Sequence, residues 1–184
     1  MLYKKKLNSF ATFQGVEYIL DTIYGSENQK EKIRYRISNT FSQRLIEVTS
    51  KNKVENENKN SKIKTEIEEI LYKGDDENHA ISAISEKGNY KKENSYEKIR
   101  INYFYKNNLK ISLDIYPFGA YLEIEGDPAD FQEVVDLLGM SVQNSTTSNA
   151  DQCYLKLINM KQNNSLKYQN FHCKIYLPRN YKND

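Results

Sequence analysis

The sequence predicts an α+β fold: an antiparallel β-barrel with a charged interior and flanking helices. Three observations predict it. Short runs alternate apolar with charged residues, which is the period of a strand. The charged positions come as same-sign pairs on run after run, where a wet surface would mix signs and neutral polar residues. Between and after these runs lie two segments with helical spacing and helix-ending residues.

The strands follow in order. In "KIRYRIS", Ile33, Tyr35 and Ile37 take one face while Arg34 and Arg36 take the other. "RLIEVTSK" ends in Lys51. In "KIKTEIEEIL", Ile63 and Ile67 oppose Lys64, Glu66 and Glu68. In "YEKIRINYFY", Ile99, Ile101 and Tyr103 oppose Lys98 and Arg100. "LKISLDIY" sets Ile111, Leu113 and Ile115 against Lys110 and Asp114, and "AYLEIEG" sets Leu122 and Ile124 against Glu123 and Glu125.

One helix is predicted from about Asp76 to Ser85, with Ala80, Ile81 and Ile84 inward. The other is "DPADFQEVVDLLG": Asp127 as N-cap, Pro128 in the first position, Gly139 as stop, and Phe131, Val134, Val135 and Leu138 as its apolar stripe. "MLYKKKLNSF" reads as the end of a third helix. The polar stretches 51–62 and 86–95 read as loops, and 141–152 as a linker. The expected organisation is a domain over 1–140, the linker 141–152 and a C-terminal appendix over 153–184.

The simplest reading of such strands is an open antiparallel sheet with one wet face and helices on the other. The like-charged pairs favour closure instead, with the charged faces inward and no free edges. A charged interior must hold water, ions or a ligand. Basic pairs on some strands and carboxylates on others suit a polyanion with a divalent metal.

Composition narrows the function. The 184 residues carry a net charge of +2, too little to suggest a nucleic-acid binder on charge alone. The two cysteines, Cys153 and Cys173, form no disulfide framework and no metal-ligand spacing. His79 and His172 have no partner at zinc spacing. No run is apolar enough to span a membrane, and the basic N-terminus lacks the apolar centre of a signal peptide, so a cytoplasmic location is expected. No Gly-rich phosphate loop or Ser-centred nucleophile motif is present.

The succession "DTIY", "KIRYRI", "VTSK", "KTEIEEI", "YEKIR", "LDIYP", "YLEIEG" and a helix ending "LLG" resembles the CYTH superfamily, the triphosphate tunnel metalloenzymes, over roughly residues 4–140. That family includes class IV adenylyl cyclases and thiamine, inorganic and RNA triphosphatases. The resemblance implies a tunnel that binds a triphosphate (ATP, thiamine triphosphate or inorganic triphosphate) with Mg²⁺ or Mn²⁺. It implies phosphate binding by Arg34, Arg36, Lys51, Lys64, Lys98 and Arg100. It implies metal binding by Asp114, Glu123, Glu125, Glu66 and Glu68. No catalytic residue is assigned. Hydrolysis and cyclisation remain open, as does a degenerate, non-catalytic polyphosphate or nucleotide binder. The family's opening Glu-x-Glu-x-Lys strand has no counterpart, since Leu2 and Lys4 would stand where glutamates belong. A barrel open along one side is therefore expected, with possible self-association through that edge.

Overall fold

The computed structural model describes residues 2–27, 31–53, 66–106, 109–141, 143 and 150–159. Helix α1 (Leu2–Phe10) leads into β1 (Thr12–Ser26), β2 (Lys32–Asn39), β3 (Arg44–Lys53) and β4 (Glu66–Gly74). Helix α2 (Glu77–Lys87) follows, then β5 (Tyr90–Tyr105), β6 (Leu109–Tyr116) and β7 (Gly119–Glu125). A 3₁₀ turn (Pro128–Asp130), α3 (Phe131–Leu138) and α4 (Ala150–Asn159) complete the described chain.

All seven strands form one antiparallel sheet in the order β4-β3-β2-β1-β5-β6-β7. The long strands β1 and β5 pair along nearly their whole length and form its spine. Among the described residues β4 and β7 remain edges, so the expected barrel, read as open along one side, is not formed: the strands make an open sheet. Alternation reports which face a residue takes, but closure depends on whether the two edges meet, and no pattern within a strand encodes that.

The apolar face is covered in two places. Leu7 of α1 and Val134 and Leu138 of α3 pack on Ile101, Tyr103, Leu109, Ile111 and Leu113 of β5 and β6. Ala80 and Ile84 of α2 pack on Ile33, Ile46 and Val48 of β2 and β3. Ile81, expected inward, is 54% exposed. The stripe of α2 is thus narrower than the sequence suggested: only positions four apart face the sheet.

Local chemistry explains the helix ends. The Asp76 side chain accepts from the backbone N–H groups of Asn78 and His79, so α2 begins where an N-cap stands. At α3 the sequence reading needs correcting. The Asp127 side chain accepts from the Ala129 N–H, but it starts the 3₁₀ turn, and α3 proper begins only at Phe131. Gly139 ends α3 in the left-handed region (φ 64°), donating to Asp136 and Val135 carbonyls as read from sequence. The N-terminal helical reading also holds, in α1.

Two expected loops differ. Residues 86–95 contain the end of α2 and the first turnless stretch of β5. Their lysines and asparagine look loop-like, yet pairing with β1 through Ser26↔Tyr90 and Ile23↔Asn94 makes them strand. Within 51–62, residues 51–53 belong to β3, and the remainder lies outside the described residues. The 141–152 linker overlaps α4 at its end, and most of it lies outside the described residues.

Candidate functional site: a charged sheet face

Cross-strand partners share a face, and register therefore assembles the charged side residue by residue. One row runs Tyr96–Asp21–Arg36–Glu47–Lys73, from β5 through β1, β2 and β3 to β4. A second runs Glu17–Arg100–Asp114–Tyr121, from β1 through β5 and β6 to β7. Lys98, Glu123 and Glu125 flank the second by two-residue spacing or pairing. The middle of this face is not wet. Asp21 and Asp114 have no exposure, and Lys98 and Arg100 are 3% and 5% exposed. Part of its cover is α4, whose Cys153 hydrogen-bonds Tyr121 and whose Tyr154 ring lies 5.4 Å from that of Phe118.

Asp114 sits at the centre of the β5–β7 cluster. Arg100 donates Nε to its Oδ1 at 2.6 Å and Nη2 to its Oδ2 at 2.7 Å. Lys98 Nζ donates to Oδ2 at 2.6 Å and lies 3.4 Å from the Tyr116 hydroxyl. Arg100 also pairs with Glu123, and Lys110 with Glu125 at 3.2 Å. The two carboxylates of β7 are thus each held by a cation, Glu125 by one from adjoining β6 and Glu123 by one reaching across β6 from β5.

Electrostatics follow from burial and these partners. Burial alone would raise the Asp114 carboxyl, but Arg100 and Lys98 outweigh it and hold it below the usual carboxylate range. Burial and the like charge of Arg100 push Lys98 down despite Asp114 beside it. Arg100 is the opposite case: burial works against its charge, and Asp114 with Glu123 more than compensates, so it is raised. Burial, then the Asp114 charge, raises the Tyr116 phenol.

On β1 and β2, Arg36 donates Nε and Nη2 to the two oxygens of Asp21 at 2.7 and 2.8 Å, a bidentate pair. Desolvation raises the Asp21 carboxyl, yet Arg36 wins and lowers it. Arg34 is tied more loosely, to Glu68 at 3.2 Å and Glu47 at 3.7 Å. Lys51 meets Glu68 at 2.5 Å, and Lys73 meets Glu47 at 3.5 Å.

The residues singled out from sequence therefore divide. Arg34, Arg36, Lys51, Lys98 and Arg100 share one face, together with Asp114, Glu123 and Glu125. Glu68 is on that face but on β4, with β3, β2, β1, β5 and β6 between it and β7 in the sheet order. The expected five-carboxylate metal set is accordingly not brought together by pairing. Glu66, also on β4, stands across from Lys53 of β3 in the backbone register, and Lys64 lies outside the described residues. Among the described residues no group of three or more His, Cys, Asp or Glu side chains could hold a metal ion. Sequence reasoning missed Asp21, Glu47 and Tyr116. A signal existed for Asp21: in "ILDTIY" it is a lone carboxylate in an apolar strand, which requires a buried cation.

The architecture defines the class: an open antiparallel α+β sheet with α1, α2 and α3 on its apolar face. It is similar in fold to solved structures from Pyrococcus. The PH1012 protein of Pyrococcus horikoshii OT3 aligns with TM-score 0.64 and 19% identity, over 82% of this chain and 90% of that one. The PH1819 protein of the same organism aligns with TM-score 0.60 and 22% identity, over 88% and 94%. A conserved hypothetical protein of Pyrococcus furiosus, Pfu-838710-001, aligns with TM-score 0.62 and 16% identity, over 82% and 91%. At these identities the likeness concerns the fold alone. No protein-family model and no curated protein matches the chain. No helix among the described residues is long and apolar enough to cross a membrane.

Proposed function

We propose that the charged face binds the triphosphate group of a small molecule such as ATP, thiamine triphosphate or inorganic triphosphate, in the manner of the CYTH proteins it resembles. The observation that carries this reading is that Arg34, Arg36, Lys98 and Arg100 project from one sheet face while largely buried. Concentrating cations out of water is costly unless anions compensate. Carboxylates of the chain do so here, and phosphate oxygens accept the same guanidinium and ammonium donors.

A resident metal fits these residues poorly. Both Asp114 oxygens already accept from Arg100 and Lys98, and Asp21 is engaged bidentately by Arg36. The geometry therefore favours binding by the cations themselves. A second reading, cleavage or cyclisation with Mg²⁺ or Mn²⁺, draws on one observation. Glu123 and Glu125 keep side chains 44% and 54% exposed on the same face, open to a cation arriving with the phosphates.

Thermal unfolding with tripolyphosphate, with and without Mg²⁺, tests the reading. Ligand at a hundred times its Kd adds about 2.7 kcal/mol. Absence of any shift at millimolar ligand would refute binding at this face. Product analysis with ATP, thiamine triphosphate and tripolyphosphate then separates a binder from an enzyme.

A further inference from the structure

The cross-strand partners Asn94, Ile23, Arg34 and Thr49 form a row across the charged face from β5 to β3. Four buried side-chain atoms among the described residues lack a hydrogen-bond partner, and three belong to this row: Asn94 Oδ1, Arg34 Nε and Thr49 Oγ1. The fourth, the Tyr103 hydroxyl, belongs to the core under α1 and α3. Unspent polar capacity costs stability, and two of the three, the adjacent Arg34 Nε and Thr49 Oγ1, are donors that an anion would satisfy, whereas Asn94 Oδ1 is an acceptor.

Two cations stand at the end of the row, with Glu47 3.7 Å from Arg34 on its far side. Lys51 stands two residues beyond Thr49 on β3, and Arg34 is directly across from Thr49 on β2. Glu68 reaches in from edge strand β4, with Oε2 at 3.2 Å from Arg34 and Oε1 at 2.5 Å from Lys51. A flat carboxylate presents one oxygen to each cation, and neither the Arg34 Nε nor the Thr49 hydroxyl is served. A tetrahedral phosphate carries more oxygens and more charge, and has an acceptor for each donor. The Arg34 contacts are also longer than the bidentate ones of Arg36 and Arg100, so the Arg34 side of Glu68 is exchanged more readily than Asp21 or Asp114, with Lys51 as its closer tie.

We propose that Arg34, Thr49 and Lys51 form an anion subsite that Glu68 occupies as an internal stand-in for phosphate, with the Thr49 hydroxyl a direct ligand contact. This rests on the triphosphate-binding reading and places one phosphate of the ligand at the β2–β3–β4 corner. Ligand entry displaces Glu68 toward solvent, where its side chain is already 37% exposed.

Calorimetric titration with sodium tripolyphosphate in the absence of metal tests it on the wild type, Glu68→Gln, Thr49→Val and Thr49→Ser. Glu68→Gln removes the competing charge, so affinity rises about tenfold; Thr49→Val removes one donor to a charged oxygen, so affinity falls about tenfold or more. Thr49→Ser keeps the hydroxyl and binds like the wild type. Thr49→Val unfolds, unliganded, at no lower a temperature than the wild type, since it loses only an unpaired hydroxyl. Weaker binding by Glu68→Gln, or unchanged binding by Thr49→Val, overturns the subsite while leaving triphosphate binding intact. A wild type that binds no tripolyphosphate overturns both.

Discussion

Asp114→Asn is the most informative single change, because it removes one negative charge from beneath two buried cations without altering shape. Arg100 and Lys98 then keep only weaker counter-charges, the half-exposed Glu123 with Asp21 toward Lys98 and Glu125 toward Arg100, and the new amide turns an N–H toward a donor. Breaking a buried ion pair costs about 3–5 kcal/mol. The lower end is expected, because Lys98 is already pushed toward its neutral form and can release a proton to relieve the strain. With a urea slope of about 2 kcal/mol per molar, the unfolding midpoint falls by roughly 1.5 M. Tripolyphosphate should then stabilise the variant more than the wild type, since it replaces the lost charge. A midpoint change worth less than about 0.5 kcal/mol, typical of an unremarkable surface site, would refute the buried-cluster reasoning.

Other outcomes follow from the same contacts. Asp21 and Asp114 have folded-state pKa values below their unfolded ones, so their contribution is complete above the unfolded value and is lost as pH falls through the folded value. Stability measured by urea midpoint should therefore drop below about pH 4, and an unchanged midpoint at about pH 2.5 would contradict both assignments. Tyr103→Phe removes a buried hydroxyl with no partner and should be neutral or stabilising by up to about 1 kcal/mol; a clear loss in chemical denaturation would mean that hydroxyl is bonded. Leu138→Ala, at a fully buried position between α3 and the sheet, should cost about 2–5 kcal/mol through the cavity it leaves. A loss under 1 kcal/mol by the same measurement would show that α3 is not seated there.

The sequence by itself determined much of this protein, because its signals are local. Alternation placed Ile33, Ile101 and Ile111 on the core face and Arg34, Arg36, Arg100 and Asp114 on the other, and the covalent pleat of a strand enforces that separation. Gly139 and Asp76 marked helix ends through their own backbone and side-chain chemistry. Tertiary structure decided what depends on neighbours distant in sequence. The lysine-rich start of β5 became strand only because β1 lay beside it, and Ile81 stayed exposed because α2 offers the sheet a narrow stripe. Strand order, which no single strand specifies, left the sheet open and put Glu68 and Glu123 near opposite edges. It also gave these carboxylates cations from other strands, adjoining or one strand further, so the charges that look repulsive along the chain are paired across it.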